Sequence, residues 1–222
     1  TGFVNGENAA SAGIGGSVSY AYYNGATLVT VSNTLPVGAY AIRPNVSGLT
    51  AANYTITGAD GELTVSKATM TLTVTGYSGL YDGTTHYVVA TPSVTSGTTL
   101  YYSTTGGNDL SAYSTTNPGV KNVSESKTIY VAAVNPNNET KFGSAAITLT
   151  KRSVTLTSGD ASRYYNGSEL TSTAVTIGGD GFALDEGFVS VPAASGTITN
   201  AGSTANIIVI PDLKTNTLPG NY

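Results

Sequence analysis

Cysteine is absent from this 222-residue chain. Disulfides, thiolate catalysis and cysteine-ligated zinc are therefore excluded. Tryptophan is absent too, and His86 is the single histidine, so one chain cannot build a two-histidine metal site. Charge is scarce: 10% of the residues are Asp, Glu, Lys or Arg, against the usual quarter. No basic cluster exceeds Lys151-Arg152 and the net charge is −4, which leaves no footprint for nucleic acid and disfavours anionic membranes. No apolar run approaches the roughly 20 residues that span a bilayer. Gly, Ser, Thr and Asn stand where charges would be. A surface wetted by hydroxyls and amides fits a secreted or cell-surface β protein better than a cytosolic enzyme, so an extracellular, cell-surface location is expected.

What is present alternates. Hydrophobic residues make up 40% of the chain, enough for packed cores. They do not recur at helical spacing over any helix-length window. Met70, Leu72 and Val74 alternate with Thr71, Thr73 and Thr75; Ala145, Ile147 and Leu149 alternate with Ala146, Thr148 and Thr150. Threonine is β-branched and suits extended backbone while keeping the outer face polar. Asn24-Gly25, Asp82-Gly83 and Asn166-Gly167 supply positive-φ positions for tight hairpins. The pattern predicts an all-β chain.

A repeat organises it. The stretch Gly48–Lys67 reads as the close of a β module, with strands at Tyr54–Thr57 and Glu62–Lys67 and a turn at Gly58–Gly61 between them. Lys67 and Lys151 stand 84 positions apart, each after an alternating strand, and the Tyr-Asx-Gly turns beginning at Tyr81 and Tyr165 share that offset. Two landmarks with one spacing argue for a module length. Gly181-Phe182 with Glu186 matches Gly2-Phe3 with Glu7, and Asn221-Tyr222 matches Asn53-Tyr54. The expected modules are 1–67, lacking its N-terminal strands; 68–151; and 152–222, lacking its last strand. Module one is 11 residues longer between Phe and Tyr, and the surplus SVSYAYYNGATL reads as an inserted hairpin turning at Asn24-Gly25. The joint Ser66–Thr69 has neither Gly nor Pro, which predicts small β modules set end to end as a stiff rod, with seams near Ala68 and Arg152.

The runs GFVNGE, PVGAYAI, GLTAANYTI and GELTVSKA resemble the MBG-type modules of large bacterial surface adhesins, which are related to the repeats of mucus-binding proteins. The runs GLYDGTTHYV, YYSTTGGN and ITLTKR are similar to the bacterial Ig-like "YDG" repeats found beside them. The resemblance covers nearly the whole chain. It implies Ig-like or β-grasp-like modules serving as a stalk and sometimes as an adhesive unit, with flanking repeats of the same chain as neighbours and a host or cell-surface glycan or protein as partner.

Candidate chemistry is sparse. His86 lacks a recognisable nucleophile partner and reads as an exposed residue at a strand start; no serine lies in a G-x-S-x-G elbow. Asp180, Asp185 and Glu186 crowd one loop and could offer oxygens to calcium, but without EF-hand spacing a solvated acidic loop is the better reading. Three Tyr-Tyr pairs, Tyr22-Tyr23, Tyr101-Tyr102 and Tyr164-Tyr165, should each bury one ring and expose the other if they lie in strands. Exposed rings can stack on sugars or partner proteins, and Tyr22, Tyr23 and Asn24 at the inserted hairpin are the expected ligand-binding residues. Lys67 and Lys151 are candidates for a Lys–Asn isopeptide bond. Sequons at Asn45, Asn53, Asn122, Asn138 and Asn166 matter only in a eukaryotic secretory route. No catalytic residue and no cofactor is expected. The leading expectation is a non-enzymatic structural and adhesive segment of a long surface protein; the alternatives are a glycan- or protein-binding module and a subunit polymerising by strand complementation at an open edge near Tyr222.

Overall fold

The computed structural model describes residues 2–222, and these form strands and three short 3₁₀ turns with no α-helix among the described residues. The all-β expectation holds. The chain divides into two compact units: residues 1–70 with the segment Val134–Thr140, and residues 71–133 with 141–222.

The first unit is built on a four-stranded antiparallel sheet. Its order is Thr27–Val29, Ser19–Asn24, Gly38–Asn45, Gly61–Val65. The inserted hairpin is real, but its loop is one residue later than the Asn-Gly reading. Asn24 pairs with Thr27, and Gly25 and Ala26 form the two-residue loop. Gly25 takes φ 60°, the first loop position that a type II′ turn gives to glycine. Tyr40 is buried at the middle of the sheet, and its hydroxyl donates to the Pro36 carbonyl at 2.6 Å. The expected strand at Tyr54–Thr57 is not formed, and the last strand is Gly61–Val65 rather than Glu62–Lys67. Beyond it, Ala68 pairs in parallel with Asn138 in the segment Val134–Thr140.

The second unit holds the larger core. Leu72–Thr75 pairs antiparallel with Val89–Pro92. Thr99–Ser103, Lys127–Asn135, Asn138–Thr150 and Tyr77–Leu80 follow one another in a second sheet, and the last two strands run parallel. Val154–Ser158 pairs antiparallel with Val175–Gly179. The alternating strands at 72–75, 145–150 and 154–158 thus form where the pattern placed them. The core joins Tyr81, Val88, Val120, Ile129, Val131, Ile147, Leu149 and Ala183, with Tyr222 packed against it.

That core corrects two expectations. Ala183 and Tyr222 lie beyond residue 151, yet they pack with residues from before it. The chain does not divide at Arg152, which lies inside the second unit; the boundaries between the units fall beside Met70 and on either side of Val134–Thr140. Nor are the Asp82-Gly83 and Asn166-Gly167 turns hairpins. The strands on either side of Asp82-Gly83, Tyr77–Leu80 and Val89–Pro92, pair with other partners, and the same holds for Val154–Ser158 and Leu170–Thr171 around Asn166-Gly167. A Tyr-Asx-Gly turn can reverse the chain without pairing its flanks, because the Asx side chain caps the turn locally.

Candidate functional site

Two loops in the chain make the same set of contacts. In the first unit, Gly2 and Gly6 take positive φ (106° and 71°), and Glu7 N–H donates to the Val4 carbonyl at 3.0 Å. This fold of the loop aims the Glu7 carboxylate at the Tyr54 hydroxyl, which donates to Oε2. The same hydroxyl accepts from Val4 N–H at 3.3 Å, and the Phe3 ring meets the Tyr54 ring edge to face at 5.3 Å. In the second unit, Gly181 and Asp185 take positive φ (67° and 64°), and Glu186 N–H donates to the Ala183 carbonyl at 3.1 Å. The Tyr222 hydroxyl donates to Glu186 Oε2 at 2.6 Å and accepts from Ala183 N–H at 3.0 Å. Phe182 meets Tyr222 edge to face at 5.0 Å. A carboxylate holding a phenol is a charge-assisted hydrogen bond, stronger than a neutral pair. Each loop is therefore a clamp that closes on the tyrosine of an Asn-Tyr dipeptide.

The second clamp holds one tyrosine more. Tyr81, from the Tyr-Asp-Gly turn, donates its hydroxyl to Glu186 Oε1, and its ring lies edge to face on Tyr222 at 5.9 Å. The turn itself rests on the clamp: a Cβ at Gly83 would lie 3.5 Å from the Ala183 Cβ and 3.7 Å from Glu186 Oε1. Gly83 sits at φ 80°, and Thr84 N–H closes the turn on Asp82 Oδ1 at 2.9 Å. Burial, and then the bond to Glu186, push the Tyr81 phenol well above its ordinary range; the same causes in the same order push Tyr222 up to about 12. Tyr54 is raised as well, chiefly by its bond to Glu7.

Around the second clamp the backbone is stapled. Arg152 donates through Nε to the Gly181 carbonyl at 2.8 Å, through Nη1 to the Tyr81 carbonyl at 3.2 Å, and through Nη2 to the Asp180 carbonyl. Its own N–H reaches the Asn221 carbonyl at 3.0 Å. Asn221 is buried, and its side chain accepts from Val123 N–H at 2.9 Å and donates to Asn122 at 3.0 Å. The guanidinium fork satisfies three carbonyls with one rigid planar group, where a lysine would offer a single compact charge on a flexible stem.

Each acidic residue of this loop has its own place in the local bonding. Asp180 accepts from the Ser153 N–H and hydroxyl, each at 2.8 Å, and these bonds hold its carboxyl below the usual range. Asp185 turns the chain at positive φ, and its carbonyl accepts from Lys214 and Asn216. Glu186 is committed to tyrosines. No grouping of three or more His, Asp or Glu suited to a metal occurs among the described residues. His86 is not exposed as expected: its ring stacks on Tyr77 at 3.7 Å, and Nε2 lies 3.1 Å from Asp82 Oδ1. Burial works to raise the Asp82 carboxyl, but bonds from Thr84 and His86 outweigh it and leave the group below its ordinary value.

The tyrosine pairs also depart from strict alternation. Tyr22 and Tyr23 are both half-buried, as are Tyr101 and Tyr102, while Tyr164 and Tyr165 are 97% and 69% exposed. Tyr23 is covered by Arg43, whose guanidinium carbon lies 4.3 Å from the ring centroid, and Asn24 is exposed beside the loop. The expected ligand tip thus has one ring already occupied by a cation. The open rings are instead Tyr164 and Tyr165, which with Arg163, Asn166, Leu170 and Ile198 line a cleft of about 220 Å³. In the sequence the three Tyr-Tyr pairs look alike. The signal available was that 164–167 lies outside any alternating run. Lys151 directs its ammonium to the Tyr222 carbonyl at 3.0 Å, not to an asparagine side chain. Near Tyr222 the chain ends its last turn in a 3₁₀ turn, Pro219–Asn221, with the ring seated in the clamp, so no open strand edge lies there. No protein-family model matches the chain, and no curated protein does.

Proposed function

We propose that this chain is a non-enzymatic structural and adhesive segment of a long extracellular bacterial surface protein, composed of MBG-like and YDG-like repeats. The observation that carries the reading is the recurrence of one clamp. Phe3, Val4, Glu7 and Tyr54 make the contacts that Phe182, Ala183, Glu186 and Tyr222 make, at a constant separation for the three loop residues. Independent sites seldom share backbone signs, hydrogen bonds and ring geometry together, so a repeated module accounts for them best. The second clamp takes its extra tyrosine from the preceding repeat, and Arg152 bridges the Tyr81 carbonyl of that repeat to the Asp180 and Gly181 carbonyls of its own. A joint of several part-buried hydrogen bonds resists bending where a Gly/Ser tether would yield. That is the property a stalk requires.

Small-angle scattering tests it. A compact 222-residue globule has a radius of gyration near ~17 Å by the usual size scaling. A stalk segment should exceed that clearly, and a value at ~17 Å would remove the stalk reading.

A second reading, a carbohydrate-binding module, is favoured by one observation. Tyr164 is almost fully exposed beside Arg163 and the Tyr165–Asn166 turn in an open cleft. Aromatic faces beside amide and guanidinium groups suit stacking on sugars. A glycan array comparing wild type with Tyr164→Ala decides it; no binding by wild type removes the idea.

A further inference from the structure

Tyr77–Leu80 lies near the start of the repeat 68–151, and Asn138–Thr150 is the last strand of that repeat. The two pair in parallel, with Tyr77 beside Ile147 and Leu80 beside Thr150. The strand just before them in the chain, Leu72–Thr75, pairs antiparallel with Val89–Pro92 in a different sheet. Gly76 is the single residue between Leu72–Thr75 and Tyr77–Leu80, and it carries the chain from one sheet to the other. A Cβ there would lie 1.9 Å from the Ala146 carbonyl oxygen, so the backbones touch at the N-terminal end of the parallel pair. The far end is tied as well. Tyr81 N–H donates to the Thr150 carbonyl at 2.9 Å, and the Thr150 hydroxyl donates to the Gly79 carbonyl at 3.2 Å. Asn138–Thr150 is itself held from its other side. It lies between Tyr77–Leu80 and Lys127–Asn135, Leu149 N–H donates to the Ser126 hydroxyl at 2.9 Å, and the side chains of Ile147 and Leu149 are buried.

Direction decides how such a pair carries tension. A pull along the chain draws residue 71 one way and residue 151 the other. In a parallel pair the N-terminal end of the first strand lies beside the N-terminal end of the last. The pull therefore slides one strand along the other, and the evenly spaced bonds of the ladder are strained together. In an antiparallel pair the same pull would begin at two adjoining ends and open the bonds one after another.

We propose that the parallel pairing of Tyr77–Leu80 with Asn138–Thr150 is a shear lock, which makes the repeat 68–151 resist unfolding when the chain is pulled lengthwise. Force entering at residue 71 passes through Leu72–Thr75 and Gly76 to the lock, and leaves at residue 151. Forced unfolding is governed by the unfolding rate, and a rupture that must break several bonds together is slower than one that breaks them singly. One hydrogen bond changes a lifetime about fivefold, so two or more breaking at once lengthen it roughly tenfold or more. The inference goes beyond the stalk reading, which concerns stiffness and location. A chain that scatters as a compact globule removes the stalk and leaves the lock standing. A rod whose lock yields equally to either direction of pull removes the lock alone.

The test pulls the full chain at constant force through pairs of introduced cysteines, which the absence of native cysteine permits. Thr71→Cys with Lys151→Cys loads the lock lengthwise. Thr71→Cys with Ser144→Cys pulls on one end of it, because a Cβ at Gly143 would lie 2.9 Å from the Val74 side chain and 3.6 Å from that of Leu72. All three handle sites are exposed. Each lifetime under force is divided by the same variant's unfolding time without force, so that a change in stability cancels. The lengthwise pair should then survive roughly tenfold longer than the end pair, or more. Thr150→Val removes one bond across the far end of the lock and keeps the side-chain shape. It should shorten the lengthwise lifetime about fivefold and leave the end-pull lifetime unchanged. Equal lifetimes in the two directions overturn the proposal. So does a longer lifetime for the end pull, or a Thr150→Val chain whose lengthwise lifetime does not change.

Discussion

Tyr81→Phe removes one oxygen from the centre of the second unit. The ring is retained, and with it the edge-to-face packing on Tyr222. What is lost is a phenol that is buried and donates to the Glu186 carboxylate. Hydrogen bonds to charged acceptors contribute about 1.5–3 kcal/mol, so a loss of about 2 kcal/mol is expected. Glu186 keeps Tyr222 as a donor at 2.6 Å, which holds the cost below that of an orphaned buried charge. For a domain near 150 residues, about 2 kcal/mol lowers Tm by roughly 4–8 °C. Urea denaturation followed by tyrosine circular dichroism measures the change directly. The double variant with Glu186→Gln should show coupling of about 1 kcal/mol or more, because both changes strike one bond. Tyr81→Phe within about 0.5 kcal/mol of wild type would refute the claim that this tyrosine stabilises the joint, since that is the scatter of ordinary surface substitutions.

Other outcomes follow from the same geometry. Tyr222 titrates near 12 in the folded chain against 10.0 for a free phenol, so its contribution to stability is complete below pH 10.0 and is lost as the pH climbs through about 12; urea midpoints across that window should fall more steeply for wild type than for Tyr222→Phe. Arg152→Ala strands three carbonyls and should cost about 3 kcal/mol, with Arg152→Lys recovering under half of it, as read by thermal melting of the two variants. Gly76→Ala would drive a methyl to 1.9 Å from the Ala146 carbonyl oxygen, so a loss of about 3 kcal/mol or a failure to fold is expected in a denaturation series. In the first unit, Tyr54→Phe should cost less than Tyr222→Phe, because its clamp is more open to water; a larger loss at Tyr54 would reverse that ranking.

Alternation with period two was enough to determine that this chain is all-β, since successive side chains on extended backbone must face opposite ways. It placed the strands near 72–75, 145–150 and 154–158, and the matching of Phe3, Glu7 and Tyr54 with Phe182, Glu186 and Tyr222 was legible from the recurring Gly-Phe…Glu and Asn-Tyr patterns. Tertiary structure decided what those residues do. Tyr81 and Glu186 stand 105 positions apart, and no local pattern announces that they meet. The Asx-Gly turns at 82–83 and 166–167 have one local geometry, yet one is packed against a clamp and the other is bare, because burial depends on what the rest of the chain brings over a turn. The absence of a division at Arg152 has the same origin: the core there is completed by Ala183 and Tyr222, residues whose own strands and turns say nothing of the partners they pack against.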